Sequence, residues 1–113
     1  MMTQSQISEL SHYYHIDEFT IRREYIQILF LNSLYQQSEA TQIYFKGGTA
    51  FRLLYHFSRF SEDLDFTTEY SHPKIKKILS KVEASLQYDL PGLHIILLYK
   101  GTKGARYRIK YNA

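Results

Sequence analysis

Residues 43–66, IYFKGGTAFRLLYHFSRFSEDLDF, decide the fold of this 113-residue chain. The stretch opens on a short apolar run that ends at Gly47-Gly48, and it closes on the alternating letters DLDF at residues 63–66. A β-prone run bounded by glycines is typical of a buried strand, and alternation of acidic and apolar residues is typical of a half-buried strand. Between them, apolar residues at helical spacing predict a helix over residues 49–57.

The rest of the chain completes an α+β pattern around this stretch. Apolar spacing and capping residues predict further helices, and the turn signal KGTKG predicts a hairpin of two later strands. The predicted helices cover residues 4–14, residues 18 to about 37 behind an N-cap at Asp17, and residues 73–88, and the predicted strands cover residues 43–45, 63–66, 93–99 and 105–111. We therefore expect an α+β fold in which helices pack on a small mixed or antiparallel sheet.

Length and composition limit the classes of protein to consider. At this length we expect a single domain over residues 1–113. The absence of cysteine excludes disulfides, zinc–thiolate sites and cysteine nucleophiles, and it is compatible with a cytoplasmic location. No apolar run approaches the roughly 20 residues that a membrane span needs, so no membrane partner is expected. The net charge of +3 is compatible with a polyanionic partner such as RNA.

The glycine turn is a candidate site for phosphate. Phosphate oxygens can approach a backbone closely where no Cβ intrudes, and Gly47-Gly48 provides that opening at the start of a helix. Thr49 can cap this helix or add a hydroxyl donor. Lys46 and Arg52 flank the turn, and each either contacts phosphate oxygens or belongs to the solvated surface.

The acidic strand is a candidate site for a divalent cation. Alternate residues of a strand share one face about 7 Å apart, so Asp63 and Asp65 can reach the same one or two cations. Mg²⁺ prefers carboxylate oxygens and keeps positions open for phosphate, whereas a solvated strand end is the structural alternative. The hydrophobic neighbours of this pair should pack into the core and orient it. Ser61, just before the pair, either caps a turn or supplies a hydroxyl to the site.

Both motifs together carry a resemblance to a known family. The run FKGGTA at residues 45–50, followed by RFSEDLDF at residues 59–66, resembles the AbiEii/AbiGii-type nucleotidyltransferase toxin family. That family belongs to the DNA polymerase β-like nucleotidyltransferase superfamily. The resemblance covers nearly the whole chain and is strongest over residues 43–66. It implies a minimal nucleotidyltransferase core.

The resemblance also implies an activity and a set of partners. By the family pattern, Gly47, Gly48 and Thr49 hold the triphosphate of an NTP, and Asp63 and Asp65 bind Mg²⁺ or Mn²⁺. A nucleotide would then be transferred to a hydroxyl of an RNA, such as a tRNA, or of a protein. Members act as toxins in abortive infection or type IV toxin–antitoxin systems, so a cognate antitoxin is an expected companion.

Two departures from the family pattern leave a second interpretation open. Family members place a third carboxylate on a later strand, and here Asn112 comes to about that position; an amide is neither an anionic metal ligand nor a general base. The family also continues into a helical part that this chain is expected to lack. The alternative is therefore a truncated, non-catalytic remnant that binds nucleotide, RNA or protein, or a homodimer built on the aromatic-rich helix at residues 17–38 and the terminal strand. If that last strand is a sheet edge, it invites pairing with another chain.

Overall fold

The computed structural model describes residues 1–55 and 62–111, and over these residues it confirms the predicted α+β fold. Its elements in chain order are α1 (Gln4–Tyr14), α2 (Glu18–Tyr35), β1 (Ile43–Lys46), α3 (Gly47–Tyr55), β2 (Asp63–Thr68), α4 (His72–Gln87), β3 (Leu93–Lys100) and β4 (Gly104–Tyr111), with a 3₁₀ turn at Ser38–Gln42. Helix α3 begins two residues earlier than predicted, at Gly47, and the other described boundaries differ from the predicted ones by at most two residues. The predicted end of that helix at residue 57 lies outside the described residues.

Within residues 1–55 and 62–111, capping side chains begin three of the four α-helices. Asp17 accepts a hydrogen bond from the main-chain N–H of Thr20 at 2.9 Å, as its predicted N-cap position requires. Thr3 caps α1 in the same way, and Ser71 caps α4 with Pro73 in the first turn. The local sequence therefore sets where these helices start.

The four strands found among the described residues form one antiparallel sheet in the order β1-β2-β4-β3. The prediction of a mixed or antiparallel sheet thus resolves to the antiparallel form. The last strand, β4, lies inside the sheet between β2 and β3, so it is not the edge that the dimer interpretation required. The edge strands are β1 and β3.

One face of the sheet is covered and the other carries the charged side chains. On the covered face, Leu64 and Phe66 of β2 are almost completely buried and pack with Phe30 of α2 and Ile78 of α4. Because side chains alternate along a strand, this packing turns the acidic residues of β2 to the opposite, open face. None of the helices in the described part of the chain combines the length and apolar character needed to cross a membrane.

Candidate functional site

The glycine turn lies directly against the second carboxylate of β2. Lys46, the last residue of β1, is paired with Asp65, so the next residue of the chain turns into α3 beside that side chain. Gly47 makes this turn with φ at +86°, in the left-handed region that favours glycine. A Cβ placed on Gly47 would lie 2.5 Å from Oδ2 of Asp65, so the close approach needs a residue without a side chain.

A hydroxyl joins the first turn of α3 to β2. Thr49 is 2% exposed, and its Oγ1 donates a hydrogen bond to the main-chain oxygen of Asp63. Gly48, between this residue and the turn, is exposed at the start of the helix. The hydroxyl of Thr49 therefore holds the glycine turn in place on the strand, and the exposed main chain of the turn stays on the surface.

Both acidic side chains of β2 are paired with arginines of β4. In the β2–β4 register, Asp63 lies opposite Arg108 and Asp65 opposite Arg106. The Nε of Arg108 donates to Oδ1 of Asp63 at 2.9 Å, and the Nε of Arg106 donates to Oδ1 of Asp65 at 2.7 Å. These hydrogen bonds, together with the charge of each carboxylate, raise the pKa of both guanidinium groups. The open face thus carries two acidic and two basic side chains, and we call the Asp63–Arg108 and Asp65–Arg106 ion pairs between β2 and β4 the cross-strand ladder.

The ladder continues to helix α2 through Glu62. Its Oε2 lies 3.3 Å from Nη2 of Arg108, and its Oε1 lies 3.4 Å from Nη1 of Arg23. Glu62 is more than half exposed, so water competes with both contacts. Arg108 therefore contacts two carboxylates at once, one within the candidate metal site and one outside it.

The other predicted phosphate ligands are in different surroundings. Lys46 is exposed and shares the open face with Asp65, its cross-strand neighbour. Arg52 instead makes a two-point contact with Glu24 of α2, with Nε 2.9 Å from Oε2 and Nη2 3.4 Å from Oε1. The structure therefore brings Lys46 to the carboxylates and ties Arg52 to α2. Ser61 and Asn112 lie outside the described residues.

The carboxylate pair fits a hard cation by its donor set. Asp63 and Asp65 present carboxylate oxygens, which hard cations prefer, on one face, and their side chains are only about a fifth exposed. The described arginine contacts use Oδ1 of each, while Oδ2 of Asp65 faces the glycine turn. Over residues 1–55 and 62–111, no third acidic or histidine side chain completes a metal cluster with them.

Sequence reasoning missed the two arginines as members of this site. The alternation at residues 105–111 places Arg106 and Arg108 on the polar face of a strand, which is the signal that was present. The partners of these arginines depend on which strand pairs with β4 and in which register. Neither the neighbouring strand nor the register can be predicted from the local sequence. Glu24 was missed for a similar reason, because its contact with Arg52 joins two different helices.

The sequence resemblance led us to expect helices on a small sheet, with a glycine turn close to an acidic strand. The described structure has helices on an antiparallel sheet, and its glycine turn lies against the carboxylate of Asp65. Residues 29–113 match the family described as Nucleotidyl transferase AbiEii toxin, Type IV TA system. This match covers most of the chain and includes both motifs, so the chain belongs to that family and the resemblance is confirmed. Searches of curated proteins and of solved structures gave no significant match.

Proposed function

We propose that this protein is an NTP-dependent nucleotidyltransferase, assisted by Mg²⁺ or Mn²⁺, of the type IV toxin class. The observation that carries the proposal is the contact between Gly47 and the carboxylate of Asp65. It brings the exposed main chain at the start of α3 to the acidic pair. A triphosphate seated on the turn would therefore have its oxygens within reach of a cation held by Asp63 and Asp65.

The glycine turn supplies the seat for the triphosphate. Gly47 and Gly48 present main-chain N–H groups without side chains in the way, and the start of a helix carries a partial positive charge. Thr49 holds this turn on β2 through its hydroxyl and adds its own N–H to the seat. Lys46, on the same face as Asp65, adds a cation that can approach the phosphates; Arg52 and Ser61 remain proposed members of the phosphate site.

Asp63 and Asp65 would hold the divalent cation on the open face of β2. When bound, the cation neutralises charge on the triphosphate and favours attack at its α-phosphorus. The two carboxylates position it next to the turn because Leu64 and Phe66 fix the orientation of the strand. The oxygen of an acceptor hydroxyl would then form a bond to the α-phosphorus, the bond from that phosphorus to the oxygen bridging to the β-phosphate would break, and pyrophosphate and the hydroxyl proton would pass to solvent.

The family and the exposed surface support the following proposed partners. An RNA hydroxyl is the proposed acceptor, with a protein hydroxyl as the other choice, and a cognate antitoxin encoded with the toxin would restrain the activity in the cytoplasm. Pairing of two copies would use β3, since Leu97, Leu98 and Tyr99 are exposed on this edge strand. Sedimentation velocity over a range of concentrations measures that association directly.

The activity is tested by transfer of label from α-³²P-labelled NTPs to total RNA and to protein. Asp65→Asn keeps the shape of the side chain but removes its charge, so we expect it to abolish most transfer. Glu69→Gln is the matched control, because this exposed residue just beyond β2 undergoes the same change of charge. Equal transfer by wild type and Asp65→Asn would refute the proposed metal role.

A second candidate function is nucleotide or RNA binding without catalysis. Arginine contacts on both carboxylates favour it, because they neutralise the acidic pair without any bound cation. Titration of an NTP with and without Mg²⁺ separates the two candidates when it is combined with the transfer assay. Mg²⁺-dependent binding without label transfer to any acceptor would favour the binding protein.

A further inference from the structure

We infer that the guanidinium groups of Arg106 and Arg108 neutralise the acidic pair, Asp63 and Asp65, and that a bound divalent cation can take their place. Each holds one carboxylate oxygen of the site, competes with a divalent cation for it, and becomes available to phosphate oxygens when displaced. This inference rests on the proposed metal role of Asp63 and Asp65. It assigns to two residues of β4 a part in that site beyond the structural one.

The geometry places each arginine where it must compete with a cation. Arg106 and Arg108 lie directly across from the acids in the β2–β4 register, on the open face, and each donates from Nε to an Oδ1 atom. An oxygen that accepts a guanidinium hydrogen bond has to be at least partly released before it can bind Mg²⁺ or Mn²⁺. Cation binding and arginine pairing are therefore linked events at the same two atoms.

Exposure makes this exchange feasible. The side chain of Arg106 is 51% exposed and that of Arg108 is 35% exposed. Ion pairs at such positions are weak because water and salt screen them, whereas a fully buried pair would be costly to break. Both arginines can therefore leave their carboxylates without disturbing the buried face of the sheet.

A displaced Arg106 would remain close to the proposed phosphate seat. Arg106 contacts the same carboxylate whose other oxygen faces Gly47, so a single carboxylate group separates its guanidinium from the glycine turn. A guanidinium presents several N–H donors in a plane that suits phosphate oxygens. Arg108 has a second carboxylate partner in Glu62, so Arg106 is the arginine more readily transferred to a triphosphate.

The test measures binding of Mn²⁺ and of a triphosphate separately. Mn²⁺ binding to the full chain is followed by electron paramagnetic resonance without nucleotide, for wild type, Arg106→Gln, Arg106→Lys and the double variant R106Q/R108Q. Binding of an NTP analogue with a methylene group between the α- and β-phosphorus is then measured in saturating Mn²⁺. Lys110→Gln is the matched control, because it removes one positive charge from the same strand two residues beyond Arg108.

We expect Arg106→Gln to tighten Mn²⁺ binding about two- to five-fold, the range expected for loss of an exposed competing ion pair. The double variant should tighten it further, and Arg106→Gln should weaken binding of the analogue by a similar factor. Lys110→Gln should change each constant by less than Arg106→Gln does. Arg106→Lys, which keeps the charge without the planar donor set, should fall between wild type and Arg106→Gln.

The outcomes separate this inference from the proposed function. Mn²⁺ affinity that is unchanged or lower in Arg106→Gln and in the double variant would overturn the inference while leaving the metal role intact. Equal effects of Arg106→Gln and Lys110→Gln would also overturn it, since they would show only a change in net charge. Absence of Mn²⁺ binding in every variant would overturn the proposed metal role, and this inference with it. Far-UV circular dichroism and thermal melting of each variant show that the fold is retained.

Discussion

Replacing Gly47 with alanine tests the contact that joins the glycine turn to the acidic pair of β2. The substitution adds one methyl group at a residue whose φ is +86°. That methyl carbon would lie 2.5 Å from Oδ2 of Asp65 and 3.2 Å from its Cβ and Cγ. The left-handed conformation and the position of the Asp65 side chain therefore cannot both be kept.

The expected loss of stability in Gly47→Ala has two sources, the backbone conformation at this residue and its contact with Asp65. A residue with a Cβ in this left-handed region costs roughly 1–3 kcal/mol. The carboxylate of Asp65 must also rotate away, which removes its contact with Arg106 and moves a proposed metal ligand. A loss of this size corresponds to a fall in melting temperature of roughly 4–12 °C for a chain of this length.

Thermal and urea unfolding measure the stability of Gly47→Ala, and the label-transfer assay measures its activity. Gly48→Ala is the matched control: Gly48 is already helical, and alanine is favoured over glycine within a helix by roughly 0.5–1 kcal/mol. We expect Gly47→Ala to lose both stability and transfer, and Gly48→Ala to retain or gain stability. Equal stability of both variants and wild type would refute the left-handed turn and its contact with Asp65.

Two further predictions concern stability at and near the site. Thr49→Val, which keeps the shape of the side chain, should lower the free energy of unfolding by about 1 kcal/mol in urea titrations, because the hydrogen bond to the main chain of Asp63 is lost; an unchanged free energy of unfolding would argue against the bond. Burial raises the pKa of Tyr107 above its ordinary value of 10.0. The unfolded phenol therefore ionises first, so the stability that Tyr107 contributes below about pH 10 should fall as pH rises through its folded pKa. Urea midpoints between pH 8 and pH 11 should fall less steeply in Tyr107→Phe than in wild type, whereas the exposed Tyr88→Phe should follow wild type.

The elements of the fold could be predicted from sequence because their signals are local. Asp17 caps a helix through an amide three residues away, and Leu64 and Phe66 alternate with acids within one strand. Such patterns report on a few neighbouring residues and need no knowledge of the rest of the chain. The resemblance of residues 43–66 to a known family likewise depends on a short continuous stretch.

The arrangement of the sheet could not be predicted in the same way. Nothing within residues 105–111 indicates that this strand inserts between β2 and β3 instead of forming an edge. The alternation identified Arg106 and Arg108 as a polar face, but their partners lie more than 40 residues away along the chain. The start of α3 at Gly47 also escaped prediction, because the left-handed turn there lies against Asp65, whose position depends on how β1 pairs with β2.

The β2–β4 register links the stability of this fold to the composition of its site. Asp63 and Asp65 share one face at close spacing, and like charges so placed repel one another. The register that puts Tyr107 against buried Leu64 also puts an arginine opposite each acid. A slip of one residue would turn the acids toward the core and their apolar neighbours toward water, so the hydrophobic pattern alone selects this alignment. Packing on one face of β2 therefore determines the charge balance on the other, and the arginines are held at the candidate metal site by the same residues that hold the sheet together.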